Sequence, residues 1–324
     1  MVPAPRAMPV FYLILACALW GVSFPIIKAL DLEQSARLSG ASKVFLASWL
    51  QLARFGLAAL LLAPLLLHRR PTRGELIQGG WLGFWGGLGM ALQAWGLAYT
   101  EASTSAFLTQ AYCVILPLVA CLRTRRLPTA RIVAATALVM AGGAILSGIT
   151  LDNLRIGKGE TATLAAACLF TLQILTLENP KYEGNRGLVV TFLMCAAIAV
   201  IFLPITLLLA PAPATILAAG ASWPAFLLVL TLALVCSVGA YGLMNTWQRR
   251  VSATEAGLIY TTEPVFTAAF VLFLPVLLGR LAGQSYPNES LTTALVTGGS
   301  LILAANLLMQ WKRRPHRPSI APVP

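Results

Sequence analysis

The chain is short of charge, and shortest of the groups that usually do chemistry. Charged residues make up 10% of its 324 residues, against about 25% in a soluble domain. The two histidines, His68 and His316, and the two aspartates, Asp31 and Asp152, all lie outside the long apolar stretches. No histidine–carboxylate cluster falls within an apolar region, which argues against an intramembrane metalloenzyme. The six cysteines, Cys17, Cys113, Cys121, Cys168, Cys195 and Cys236, form no C-x-x-C pair. They read as small packing residues rather than a disulfide framework or a metal site. No G-x-x-x-x-G-K-[ST] loop occurs, and Gly157-Lys158-Gly159 does not qualify, so ATP is not bound through that motif. The sequence therefore points to no metal and no cofactor.

What fills the chain instead is apolar sequence, 58% of all residues. A bilayer core about 30 Å thick takes roughly 20 apolar residues per helical crossing. Ten stretches of about that length are present, at 12–30, 44–67, 76–98, 102–122, 130–149, 160–177, 187–210, 224–247, 254–278 and 291–311. The expected fold is an all-α integral membrane protein with ten transmembrane helices. The first stretch follows a weakly basic segment with Arg6 but has no convincing small-x-small site after it, so it reads as an uncleaved first helix.

The net charge of +12 is distributed by side. Of the 23 Lys and Arg residues, 16 fall in the N-terminal segment, the even-numbered loops and the C-terminal tail (Lys312, Arg313, Arg314, Arg317). Six fall on the opposite side (Lys28, Arg37, Lys43, Arg155, Lys158, Arg280), and Arg54 lies within the second stretch. Loops rich in Lys and Arg stay in the cytoplasm, so both termini are expected there. The excess positive charge then faces anionic headgroups, and no nucleic-acid partner is implied.

Five crossings per half is an odd number, so the halves, 1–150 and 151–324 with its basic tail, enter the membrane from opposite sides. They would be inverted repeats. The fifth stretch contains Thr136-Ala137-Leu138-Val139-Met140-Ala141-Gly142-Gly143, and the tenth contains Thr293-Ala294-Leu295-Val296-Thr297-Gly298-Gly299. Prolines also correspond, Pro64 with Pro204 and Pro117 with Pro264. Inverted repeats are a common construction of secondary transporters, with the site near midplane between them.

Four ordered segments carry a family resemblance. They are Leu19-Trp20-Gly21-Val22-Ser23-Phe24-Pro25-Ile26-Ile27-Lys28; Arg54-Phe55 followed by Ala58-Ala59-Leu60-Leu61-Leu62; Thr104-Ser105-Ala106-Phe107-Leu108-Thr109 with Tyr112 and Pro117; and Glu263-Pro264-Val265-Phe266. Over roughly residues 10–311 the chain resembles the EamA-type transporters of the drug/metabolite transporter superfamily. The Gly-Glu that often follows the fourth and ninth helices there is replaced by Arg123-Thr124-Arg125 and Leu278-Gly279-Arg280. The resemblance implies a ten-helix carrier of small metabolites, often an exporter, in a bacterial inner (plasma) membrane, with the fifth and tenth helices peripheral. The solute expected is amino acid-like or otherwise small and amphipathic. Protons are a candidate co-substrate, and the expected state is a monomer or weak homodimer.

Polar and aromatic residues suggest where a solute sits. Trp20, Ser23, Gln110, Tyr112, Gln173, Tyr241, Asn245 and Tyr260 are the candidate lining. Trp95, Tyr99 and Gln248 lie at stretch ends and fit the interfacial belt. Glu263 and Arg54 are charges at depth, which usually face a bundle interior or a water-filled cavity. Glu263 is either a proton acceptor or substrate contact, or a carboxylate that steadies the helix broken at Pro264. Arg54 either closes the gap between halves or meets an anionic solute. Glycines 79, 83 and 87 form a stripe suited to close packing or to sliding. Other classes remain open at this point: a membrane-embedded transferase acting on lipid-linked substrates, a channel, or a non-transporting membrane subunit.

Overall fold

The computed structural model describes residues 7–68, 70–100, 102–149 and 156–310. Arg6, Arg69, Glu101, Asp152, Arg155, His316 and the basic tail residues Lys312, Arg313, Arg314 and Arg317 lie outside these.

All regular structure among the described residues is helical. In chain order the helices are α1 (Ala7–Gly21), α2 (Ser23–Arg37), α3 (Lys43–Leu62), the short α4 (Leu65–His68), α5 (Arg73–Gly96), α6 (Ala102–Thr109), α7 (Tyr112–Thr124) and α8 (Ala130–Ser147). There follow α9 (Lys158–Glu178), α10 (Gly187–Leu209), the short α11 (Pro213–Ala218), α12 (Trp223–Thr231), α13 (Ala240–Trp247), α14 (Ala253–Tyr260), α15 (Glu263–Phe270), α16 (Leu274–Ala282) and α17 (Thr293–Gln310). A π-helical segment, Leu232–Gly239, joins α12 to α13.

Among the described residues, eight stretches are long and apolar enough to cross a membrane: Ala7–Arg37, Lys43–Leu67, Thr104–Thr124, Ala130–Ser147, Lys158–Glu178, Gly187–Leu209, Trp223–Arg250 and Thr293–Gln310. A ninth is a pair, Ala253–Phe270 with Leu274–Ala282, bent by 71°. The count is thus eight or nine where ten was expected. The missing stretch, 76–98, is helical within α5, but eight of that helix's 24 residues are glycine, which lowers its apolarity. The span expected over 254–278, read as broken at Pro264, breaks a second time between Phe270 and Leu274.

Prolines explain the breaks. A proline has no N–H, so the carbonyl four residues earlier loses its helical partner. Pro25 releases Gly21, the last residue of α1, and Pro264 releases Tyr260, the last residue of α14. Pro275 releases Val271, whose carbonyl instead accepts from Glu289 N at 3.0 Å, just after α15 ends. Pro117 stays inside α7, and the freed Cys113 carbonyl accepts from Thr136 Oγ1 at 3.5 Å. Ser, Thr and Gly close other ends. Ser42 accepts from Phe45 N, Ser222 from Ala225 N and Ser252 from Glu255 N, all at 3.1–3.2 Å, each satisfying a donor that the helix leaves unpaired.

Packing centres on three interfaces, α3 with α10, α5 with both α9 and α10, and α8 with α17. Glycine sets the last two. A Cβ on Gly142 would lie 2.6 Å from the Gly298 carbonyl oxygen, and one on Gly298 would lie 2.7 Å from that of Gly142. The glycine pairs that close the repeated Thr-Ala-Leu-Val motif are therefore the crossing point of α8 and α17. On α5, a Cβ at Gly83 would lie 2.8 Å from the Met194 carbonyl oxygen and one at Gly87 2.8 Å from Ile201 of α10. Gly86 and Gly89 instead face Gln173 and Phe170 of α9. Contacts this close are those of tight helix packing.

One end of the bundle is tied by ions. Arg186 Nε donates to Glu75 Oε1 at 2.7 Å and its Nη2 to Oε2 at 2.8 Å, while Arg186 N donates to the same carboxylate at 3.0 Å. Glu75 also closes a capping box with Thr72 at the start of α5, ahead of the apolar stretch. These bonds, that of the Arg186 guanidinium foremost, hold the Glu75 carboxyl down to about 2. An ordinary glutamate titrates near about 4.3. A carboxyl depressed in the folded state stabilises above its unfolded value, and that contribution is lost as pH falls towards the folded one. The Glu75→Gln variant is therefore expected to be less stable than the parent at neutral pH, with the gap narrowing below about pH 4. Thermal unfolding in detergent at stepped pH measures this. A gap that stays constant down to the acid limit would refute it.

Candidate functional site

Two helix joints meet at the centre. Gly21 ends α1 so close to α15 that a Cβ there would lie 2.8 Å from Phe266 Cβ and 2.9 Å from Thr267 N. Trp20, one residue earlier, packs edge-on against Tyr241 (5.1 Å between centroids, 63°) and against Tyr260 (5.5 Å, 69°). Tyr260 is the last residue of α14, and Tyr241 follows the π-helical segment. Non-α backbone of this kind often marks functional positions in a helix. Phe55 extends the aromatic wall behind Tyr241 at 5.8 Å.

Charge is placed at the same joint. Glu263 opens α15, half-buried, where the positive end of the helix favours a carboxylate. It lies within Coulombic range of Arg54, Tyr112 and Tyr241. No ion pair joins Glu263 to Arg54 among the described residues. Arg54 is buried, with Nε donating to Ser237 Oγ at 2.7 Å and its guanidinium carbon 5.0 Å from the Phe55 ring centre. That bond links α3 to the π-helical segment.

The other candidate residues divide. Gln110 sits in the α6/α7 joint and Tyr112 opens α7, both buried. Gly143 leaves room for Gln110 Oε1, which would lie 2.8 Å from a Cβ there. Asn245 Nδ2 donates to Thr191 Oγ1 at 3.0 Å. Trp20 Nε1, Gln110 Oε1 and Asn245 Oδ1 are buried polar atoms with no hydrogen-bond partner. A buried polar group left unpaired costs about 1–3 kcal/mol; Gln51 Oε1, Thr206 Oγ1, Asn306 Oδ1 and Gln310 Nε2 share this state among the described residues. Ser23 is buried at the start of α2, beside Trp20 in sequence. Gln173 is turned to packing: its Nε2 donates to the Leu82 carbonyl at 3.2 Å, in the space left by Gly86.

Trp95 and Tyr99 are exposed, as belt residues are. Gln248 is corrected. It is fully buried, accepting from Tyr260 Oη at 2.7 Å and donating from Nε2 to the Ile174 carbonyl at 2.7 Å. Its position at the end of an apolar stretch disguised it, because hydropathy does not tell which way the last turn faces. Ser237 and Thr191 were also missed, as single hydroxyls in apolar sequence. Among the described residues, no group of three or more His, Cys, Asp or Glu side chains is placed to hold a metal ion. A separate pocket of about 330 Å³, lined by Val276, Arg280, Gln284 and Tyr286 among others, lies at α16.

Residues 7–148 match the model of the EamA-like transporter family, part of the drug/metabolite transporter superfamily, the family that the motifs resemble. A solved crystal structure that is 18% identical superposes with a TM-score of 0.65, covering 94% of this chain and 97% of its own, which establishes a shared fold. No curated protein matches the chain.

Proposed function

We propose that the chain is a secondary transporter that moves a small organic metabolite, amino acid-like or otherwise small and amphipathic, by alternating access, with export as its direction. The observation that carries this reading is the meeting of the broken helices around Trp20, Tyr260 and Glu263. Discontinuous helices at a bundle centre are how many carriers present backbone and side-chain groups to a solute. The lining mixes aromatic faces with amides, and Arg54 is the one basic residue at its depth, a poor match to phosphate compounds, which draw on clustered Arg and Lys.

The ten-crossing arrangement as inverted repeats 1–150 and 151–324, with α5 as the third crossing, is part of the proposal. Helix packing supports it. If crossings are numbered in order, crossings 2 and 7, 4 and 9, and 5 and 10 pack on each other. Several further contacts recur under the same exchange: 3 with 6 and 8 with 1, 3 with 7 and 8 with 2, 4 with 6 and 9 with 1, 4 with 5 and 9 with 10. The reciprocal contact of Gly142 and Gly298 has the same symmetry. Cytoplasmic termini follow from the charge asymmetry. Reporters fused after residues 70, 126 and 250 should read cytoplasmic, and one after residue 37 external; the reverse pattern would invert the topology. The proposed assembly is a monomer or weak homodimer.

Solute counterflow in proteoliposomes tests the function. Saturable exchange of an amino acid or small amine is expected. Robust exchange of a sugar phosphate or nucleotide instead would overturn the solute class, and no exchange of any solute would overturn the carrier.

A further inference from the structure

The two ends of the central site are unlike. Towards the end bearing Glu178, Gln248 and Ala253, the site is closed by α14, all eight residues of which are buried. This helix packs on α1, α7, α8, α9 and α17. Beyond the Thr261–Thr262 joint the same crossing continues as α15, in which no residue is buried. At that opposite end, α2 packs on α12, α15 and α16, while α6 packs on α8 and α9. Beyond isolated contacts, neither α2 nor α15 packs on α5 or α6. A seam thus separates the two groups on one side of Glu263, and a filled core lies on the other.

One buried chain of hydrogen bonds crosses the filled side. Tyr260 Oη donates to Gln248 Oε1, and Gln248 Nε2 donates to the Ile174 carbonyl, both at 2.7 Å. It joins the last residue of α14, the turn after α13, and α9. Tyr260 also touches Trp20, so the chain runs from the site wall to the closed end. Further out, Glu178 Oε1 accepts from Ala253 N at 2.9 Å, capping the start of α14. Tyr12 stacks on Trp247 at 4.4 Å, with the Arg250 guanidinium 4.3 Å from that ring.

We propose that Gln248 is the latch of the site: through Tyr260 and the Ile174 carbonyl it keeps α14 seated, closing the basic end of the bundle and leaving the seam between α2/α15 and α5/α6 as the open path. Gln248 is a positioning residue, acting on the site only through Tyr260. The inference deepens the carrier reading, since a latch matters where the two ends open in turn. Thr261–Thr262 is the hinge, because the Tyr260 carbonyl, freed by Pro264, lets α14 swing without breaking a helical bond to α15.

The test is thiol labelling of the full chain in detergent, where both ends meet reagent. Cys121 and Cys168, the two cysteines that are not buried, are first replaced by serine. Ala256→Cys then places a reporter at a fully buried position in the middle of α14. In the parent the reporter is expected to react slowly with a polar maleimide. Tyr260→Phe, which removes one buried hydrogen bond, should raise its rate about tenfold; Gln248→Leu, which removes two, should raise it at least as much, and the double variant should add little to Gln248→Leu. Cys195 and Cys236, also fully buried, should remain protected in every variant. Three results would overturn the latch: fast labelling in the parent, no change in either variant, or Cys195 and Cys236 labelling in step with the reporter. The readout needs no solute. A chain that labels as expected but shows no counterflow would sink the carrier reading and leave the latch standing.

Discussion

Glu263→Gln is expected to leave solute exchange intact and to abolish accumulation driven by a pH gradient. Glutamine keeps the size and the hydrogen-bonding reach of the side chain but cannot carry a proton on and off. A role that moves a proton and one that only holds the helix break predict different outcomes. Glu263 is half-buried, shares no ion pair with Arg54 among the described residues, and stands where α14 gives way to α15. The hydrogen bond of Arg54 runs from Nε to Ser237 Oγ rather than to Glu263. Were Glu263 a structural strut instead, the variant would express poorly or unfold early. Proteoliposome uptake with and without an imposed gradient, beside melting curves, separates these outcomes. Accumulation at the parent rate across the gradient would remove proton coupling through this residue.

The second large effect is structural. Gly142→Leu and Gly298→Leu should each prevent α8 from seating on α17, with a loss of folded protein after solubilisation. Even a methyl group at Gly142 would stand 2.6 Å from the Gly298 carbonyl oxygen, so the clash is with backbone and cannot be relieved by a side-chain rotation. Overpacking of this kind costs about 1–3 kcal/mol and sometimes more, a large share of the stability of a typical fold. Gly80→Ala is the internal control, since a Cβ there meets nothing within 4 Å, and alanine is the better helix former by about 1 kcal/mol. Size-exclusion profiles and melting temperatures measure both. Equal melting temperatures for Gly142→Leu and Gly80→Ala would show that the crossing tolerates bulk.

The sequence made the helices and their charge asymmetry legible because lipid forces long apolar runs, and these survive averaging along the chain. It also exposed the glycines at 142 and 298, since they recur behind the same four residues in both halves. The joints were less legible. Hydropathy is blind to a break inside an apolar run, so α1 and α2, or α14, α15 and α16, merged into single stretches. A signal was present nonetheless: Pro25 and Pro264 stand four residues after the last residue of a helix, and Pro275 five. The third crossing failed the other way, its glycines lowering apolarity while allowing close packing on α9 and α10. Of the candidate lining, Trp20, Tyr241 and Tyr260 come into direct contact, whereas Gln173 is drawn to the Leu82 carbonyl. An amide in a one-dimensional pattern does not say whether it faces a solute or a neighbouring backbone.

The caps of α8 reach beyond packing. Thr129 starts this helix, with its side chain accepting from Ile132 N, and Gly148 ends it in the left-handed conformation, at φ 64°. Between those two stops lie 18 residues, about 27 Å at 1.5 Å per residue, against a hydrocarbon core of about 30 Å. Neither end can add a turn, so hydrophobic mismatch on this flank must be met by thinning the adjoining bilayer or by flanking side chains that reach out to the interface. The surrounding lipid thus bears a mechanical load through the helix that joins Gly142 to Gly298, and membranes built from shorter acyl chains would relieve it.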